Sequence, residues 1–175
     1  MAHEDKRCQD LSERLVALYR AIHANAMRDV PVCNEALVVE AVGFHRHEGH
    51  ALGILITPWF MNLARTELEG GLPLPPAQRG STLNLVLPAG PIDLVVGELD
   101  GFGRIDACSL FSPMFDFADA EAAHQTAEAV LAVLFNPAVL AEGTQTETRM
   151  HVAKPLDRRM LLRGGLRSRG EAAGA

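Results

Sequence analysis

The sequence predicts an α+β fold: a mostly antiparallel sheet of about five strands, two long flanking helices and a basic C-terminal tail. Three observations lead there. Apolar residues recur at helical spacing over residues 11–26 and again over 123–134. The runs between them alternate with period two. Short Gly- and Pro-containing turns, not helices, join those runs, which favours antiparallel pairing over a βαβ alternation. With 175 residues, 48% of them apolar, the chain is long enough to bury a proper core. We read residues 1–139 as one α+β domain and 140–175 as a linker followed by a basic segment.

Asp10-Leu11-Ser12-Glu13 has capping-box spacing, so the first helix is expected over Leu11–Met27 along Leu11, Leu15, Leu18, Tyr19, Ile22 and Ala26. Pro31 and Asn34 mark its exit loop. Leu37–Val42 alternates as a first strand, and the polar stretch Phe44–His50 reads as a hairpin connection. The second strand is Ala51–Thr57, which Pro58 ends because proline brings no N–H to a ladder. Trp59–Arg65 then has the look of a short helix with Pro58 at its first turn. Gly70–Pro76 is a loop. Strands follow at Ser81–Leu87, around Ile92–Val96 and at Ile105–Phe111, separated by turns at Pro88–Pro91 and Gly97–Gly101. Asp116 can cap the second helix, with Asp119 and Glu121 in its first turn and Ala123, Ala127, Val130, Leu131 and Leu134 along its stripe.

Residues 142–151 carry Thr and charge without periodicity and read as a linker. Pro155–Gly164 is a basic amphipathic patch too short to be a stable helix alone. One reading makes it a solvating tail. The other docks Met160, Leu161 and Leu162 onto this body or a partner.

The charge is uneven. Residues 1–139 hold nine Lys and Arg against eighteen Asp and Glu, a net −9, whereas 140–175 hold seven against four, a net +3. An acidic body argues against general nucleic-acid binding. No apolar run reaches the ~18 residues of a membrane span, and Met1–Arg7 lacks the apolar stretch of a signal peptide. A cytoplasmic location without membrane insertion is therefore expected. Cys8, Cys33 and Cys108 form no Cys-x-x-Cys pair, so no zinc knuckle or thioredoxin-like site is expected.

His45, His47 and His50 form His-x-His-x-x-His, which could hold nickel, zinc or copper. In an extended segment His45 and His47 share a face and His50 falls on the other, unless a turn redirects it. A solvated polar hairpin is the plainer reading, and no metal or other cofactor is expected. A nickel-handling role for this trio is the alternative function. There is no Gly-x-Ser-x-Gly and no P-loop. Cys108-Ser109, or the acids Glu98, Asp100 and Asp106, could serve a small hydrolase only with partners that the sequence does not place. No catalytic residue is assigned.

The stretch Gly53–Leu63 holds the protein's only tryptophan beside Phe60 and Met61. These large residues either seal one end of the core or form a partly exposed platform that grips a peptide.

Several stretches together resemble one family. They are Gly53–Leu63, Leu85–Gly90, Gly97–Gly101, Ser109–Met114 and Arg158–Gly164. The chain is similar over residues 11–164 to the HybE/HupJ family of [NiFe]-hydrogenase assembly chaperones. The resemblance implies a cytoplasmic, non-catalytic accessory protein. It would bind precursors of the hydrogenase small or large subunit, including the small subunit with its twin-arginine signal, before folded export. Some relatives add a rubredoxin-like module with two Cys-x-x-Cys pairs, which this chain lacks. A twin-arginine signal is basic and then apolar, so an acidic rim beside Trp59, Phe60 and Met61 would complement it. Candidate partner-binding residues are Thr57, Pro58, Trp59, Phe60 and Met61, the acids Glu98 and Asp100, and Arg158, Arg159, Leu162 and Arg163 in the tail.

Overall fold

A computed structural model describes residues 2–139. Helix α1 spans Ala2–Ile22 and continues as one π-helical turn, His23–Met27. Six strands follow: β1 Glu40–His47, β2 His50–Ile56, β3 Met61–Thr66, β4 Thr82–Leu87, β5 Gly90–Leu99 and β6 Gly103–Phe111. Helix α2, Ala120–Phe135, is the last element among the described residues. The strands form one antiparallel sheet in the order β1-β2-β3-β6-β5-β4.

Each helix covers one face. Leu52, Ile54, Ile56, Met61, Leu63, Leu85, Leu87 and Leu94 pack with Ala123 and Ala127 of α2. On the other face Leu55, Ala64 and Ile105 pack with Leu15, and Ala51 and Leu68 with Cys8 and Leu11, all from α1. At Gly53 the ring of Phe44 crosses the strand, and an added Cβ would meet its Cδ2 at 2.5 Å.

Several expectations need correction. Among the described residues there are six strands, not about five, because the expected short helix at Trp59–Arg65 is mostly strand β3. Both faces of β3 are buried, so its sequence shows no period-two alternation. Helix α1 starts eight residues before Asp10, which is helix interior and not an N-cap. Cys8 extends the stripe of Leu11 and Leu15 backwards, and Ser12 bonds back to the Cys8 carbonyl at 2.7 Å. Strand β1 begins three residues later than expected and takes in Phe44–His47, read from sequence as a connection. The turn itself is only Glu48-Gly49, both at positive φ (48° and 86°), as a two-residue hairpin demands. Likewise β5 runs through Glu98 to Leu99, so its turn starts at Asp100. Asp119, not Asp116, caps α2, accepting from the Ala122 N–H at 2.8 Å.

Candidate functional site

The hairpin loop between β2 and β3 is built around Thr57. Its hydroxyl accepts from the Phe60 N–H at 2.9 Å and the Trp59 N–H at 3.3 Å, and lies 3.1 Å from the Phe60 carbonyl, to which it can donate. Its own N–H donates to that carbonyl at 2.8 Å. The Asn34 N–H donates to the Pro58 carbonyl at 2.8 Å, and the Ser112 hydroxyl to the Trp59 carbonyl at 3.4 Å. Asn34 also donates through Nδ2 to the carbonyls of Met114 (3.0 Å) and Phe117 (2.8 Å). One residue thus ties together three loops: its backbone N–H holds the loop between β2 and β3, and its side chain holds the loop after β6 to the loop before β1.

On this frame sits an aromatic corner. The Trp59 ring lies 5.7 Å from Phe60, 5.8 Å from His23 and 6.4 Å from Tyr19, and Tyr19 meets Phe60 edge-on at 5.7 Å. Trp59 and Phe60 are half-buried, so each keeps part of its ring open to solvent. Burial pushes the Tyr19 phenol up from its ordinary pKa. The surrounding loops leave further large apolar side chains exposed: Val30 (36%), Val38 (54%) and Phe115 (57%). Thr57, Pro58 and Met61 are fully buried and offer no side-chain surface. Of the expected platform residues Trp59, Phe60 and Met61, the first two keep exposed ring surface.

Glu98 and Asp100, expected among the partner-binding residues, do not lie beside Trp59. Register settles this: Met61 opposes Phe111, whereas Thr66 opposes Ile105 and Glu98 opposes Arg104. Glu98 and Asp100, both exposed, therefore lie at the Thr66 end of the sheet, and Trp59 at the Met61 end. At the Thr66 end Asp106 is wholly buried, accepting from Arg65 Nη2 at 2.9 Å and from Arg104 Nε and Nη2 at 2.8 and 3.0 Å. Arg104 Nη1 also donates to the Pro75 carbonyl at 2.6 Å. Asp106 is thus committed to two arginines, and the three acids considered for hydrolysis do not converge. Cys108 opposes Leu63 and packs against the α2-side core.

His45 and His47 both stack edge-on against Phe135 of α2, at 4.8 and 5.4 Å. His50 opposes His47 in register, so the hairpin turn does bring it to their face. His45 Nδ1 sits 2.8 Å from the Gly43 carbonyl, and His50 Nε2 3.3 Å from the Pro73 carbonyl. Among the described residues no three His, Cys, Asp or Glu side chains converge as a metal site. The tail residues Arg158, Arg159, Leu162 and Arg163 lie outside the described residues.

Sequence reasoning missed the part played by Asn34, His23 and Phe115, and a pair between His124 and Glu40. His124 Nδ1 lies 2.8 Å from Glu40 and Nε2 3.4 Å from Glu128. The hydrogen bond to Glu40 raises the imidazole pKa. Nothing in the spacing joins positions so far apart in the chain, whereas Tyr19 was visible in the helical stripe. Among the described residues no helix is long and apolar enough to cross a membrane.

Residues 10–164 match the family model described as "[NiFe]-hydrogenase assembly, chaperone, HybE". The chain is 46% identical over 155 residues to the hydrogenase expression/formation protein HupJ of Bradyrhizobium diazoefficiens, covering 89% of this chain and 88% of that one. It is 39% identical over 143 residues to the probable rubredoxin HupJ of Rhodobacter capsulatus, covering 79% of this chain but only 50% of that longer protein. The solution structure of HybE from Escherichia coli matches with a TM-score of 0.55 at 23% identity, over 85% of this chain and 90% of that one, which supports the fold. The chain belongs to the HybE family of [NiFe]-hydrogenase assembly chaperones.

Proposed function

We propose that this protein is a cytoplasmic, non-catalytic chaperone that binds [NiFe]-hydrogenase subunit precursors, among them the small subunit through its twin-arginine signal, before export. The observation that carries this reading is the aromatic corner. Trp59, Phe60, Tyr19 and His23 form a half-open apolar surface on a loop whose backbone groups are fixed by Thr57, Asn34 and Ser112. A rigid aromatic surface of this kind suits an apolar segment, since little side-chain freedom is lost on binding. The net −9 of residues 1–139 favours a basic partner, and a signal that is basic and then apolar meets both features.

The tail segment 158–164 adds a second contact in this reading, through Arg158, Arg159, Leu162 and Arg163. The test is affinity capture with the full-length protein from hydrogenase-expressing cells, with captured subunits identified by mass. The expected result is enrichment of a small-subunit precursor that still carries its signal. Enrichment of the processed small subunit alone, or of no hydrogenase subunit, rejects the reading.

A further inference from the structure

The sheet has two edges, and the outermost strands differ. Strand β1 is broken by a bulge between Val42 and His45, with Gly43 at φ +62°. It carries Glu40 and Arg46, which pair with His124 and Glu4 in the two helices. These are ordinary ways to close an edge. Strand β4, Thr-Leu-Asn-Leu-Val-Leu, has none of them. It pairs with β5 in unbroken register from Thr82 to Leu87 and carries no charge, proline or glycine. Among the described residues no strand lies beyond it.

The free groups on β4 can be named. Val96 donates to the Ser81 carbonyl at 2.8 Å and accepts from the Gly80 N–H at 2.7 Å, so its backbone faces β4. Alternation then turns Leu94, Ile92 and Gly90 toward β4, opposite Leu83, Leu85 and Leu87. The N–H and C=O groups of Thr82, Asn84 and Val86 point the other way, off the sheet. Beside them Val86 and Val95 are 68% and 43% exposed, and the α1-side core contains no β4 residue. The strand is held in place by its turn, where the Ala89 N–H donates to the Leu134 carbonyl of α2 at 3.1 Å.

We propose that the β4 edge is a further client contact, which takes an extended segment of the hydrogenase precursor as a seventh, antiparallel or parallel strand. This rests on the chaperone reading above. Size argues for a peptide over a second copy. A six-residue strand is about 20 Å long. Two such edges meeting alone fall short of the roughly 1,200–2,000 Å² of a stable protein pair. An extended peptide needs only the edge: main-chain bonds give affinity and alternate side chains give specificity. The segment would place apolar residues beside Leu83, Leu85 and Leu87 and small or polar ones beside Thr82, Asn84 and Val86. With a net −9 on residues 1–139, its charge would be zero or positive.

The test compares full-length wild type, Asn84→Pro and Val86→Lys in precursor capture, together with amide hydrogen exchange. The Asn84 N–H bonds nothing within the sheet, so proline is tolerated there but cannot receive a partner strand. Val86→Lys keeps the backbone and adds the charge with which natural edges resist pairing. The proposal expects both variants to melt like wild type and to lose about tenfold or more in capture. It also expects the amides of Thr82, Asn84 and Val86 to gain protection in the wild-type complex. Unchanged capture by folded Val86→Lys, with those amides still exchanging fast, overturns it while leaving client binding intact. Protection of the same amides in the isolated protein assigns the edge to this chain itself and also overturns it. If wild type captures no precursor, the chaperone reading falls and this proposal with it.

Discussion

The two ends of the sheet solve opposite problems. At the Thr66 end the buried charges pair with one another: Asp106 holds Arg65 and Arg104, and Arg104 reaches the Pro75 carbonyl of the loop above, with Arg65 Nε left without a hydrogen-bond partner among the described residues. At the Met61 end the loop backbone groups described above are met by Thr57, Asn34 and Ser112, while the rings of Trp59 and Phe60 stay half open. A closed charge network has little left to offer a ligand. A fixed backbone under uncovered aromatic surface has an apolar contact to offer and little entropy to lose in making it. In the proposed reading, binding belongs to the Met61 end and rigidity to the Thr66 end.

Removing the closed end should produce the largest loss of stability. Asp106→Asn leaves two guanidinium groups without their carboxylate, and Arg65 is only 8% exposed. Breaking such a buried pair costs about 3–5 kcal/mol. Urea melts should show that loss, whereas exposed Asp100→Ala should stay within about 0.5 kcal/mol of wild type. Equal melts for the two variants would dissolve the contrast.

Asn34→Ala acts on the open end from below. It removes the amide donor from the Met114 and Phe117 carbonyls, of which Met114 keeps the Phe117 N–H at 3.3 Å, so at about 1–3 kcal/mol for an unsatisfied buried group the loss is smaller than for Asp106→Asn. Client capture should fall as well, because the Asn34 segment, whose N–H still holds the Pro58 carbonyl of the Trp59 loop, loses its side-chain tie to the loop after β6. A variant that melts as predicted and captures normally would separate the brace from the binding surface.

The tail can be tested without touching either end. Deleting residues 152–175 should leave the described domain folded and lower client capture. Met160, Leu161 and Leu162 changed together to Ser should do nearly the same. Arg158→Ala with Arg159→Ala should do less, and its effect should shrink as salt rises, since exposed ion pairs are worth about 0–1 kcal/mol each. Unchanged capture on deletion makes the segment a bystander.

The smallest effect concerns pH. Glu40 raises the folded-state pKa of His124 above its unfolded value, so the charged form is favoured by folding. That contribution is fully present below the unfolded value near 6.5. It is lost as pH rises through the higher folded pKa. The side chain is 34% exposed, so the effect should not exceed about 1 kcal/mol, the usual size for an exposed pair. His124→Gln should flatten the pH dependence of stability in that window.

Much of this fold is legible in the sequence, and the failures have physical causes. Strands β4 and β5 each have one more open face, so alternation shows, and the Pro-Ala and Asp-Gly turns punctuate them. Strand β3 is buried on both faces, and Pro58 beside Trp59 imitates a helix start. Phe44–His47 reads as polar, yet Phe44 lies over Gly53 and two histidines stack on Phe135. The Gly-Glu-Leu-Asp-Gly and Thr-Pro-Trp stretches are both visible in sequence, but only the β3–β6 register shows that they lie at opposite ends. Trp59 and Phe60 are legible as a candidate surface. Asn34, which braces them, looks like any loop residue until its three partners are seen.

The central claim is that the aromatic corner faces the client. Its most direct test is precursor capture by full-length Trp59→Ala, with circular dichroism and a thermal melt on the same sample. The account predicts that the variant keeps the wild-type spectrum, melts within a few degrees of wild type and captures markedly less precursor. A folded Trp59→Ala protein that captures as well as wild type would contradict the claim, and so would global unfolding, which would make Trp59 part of the core.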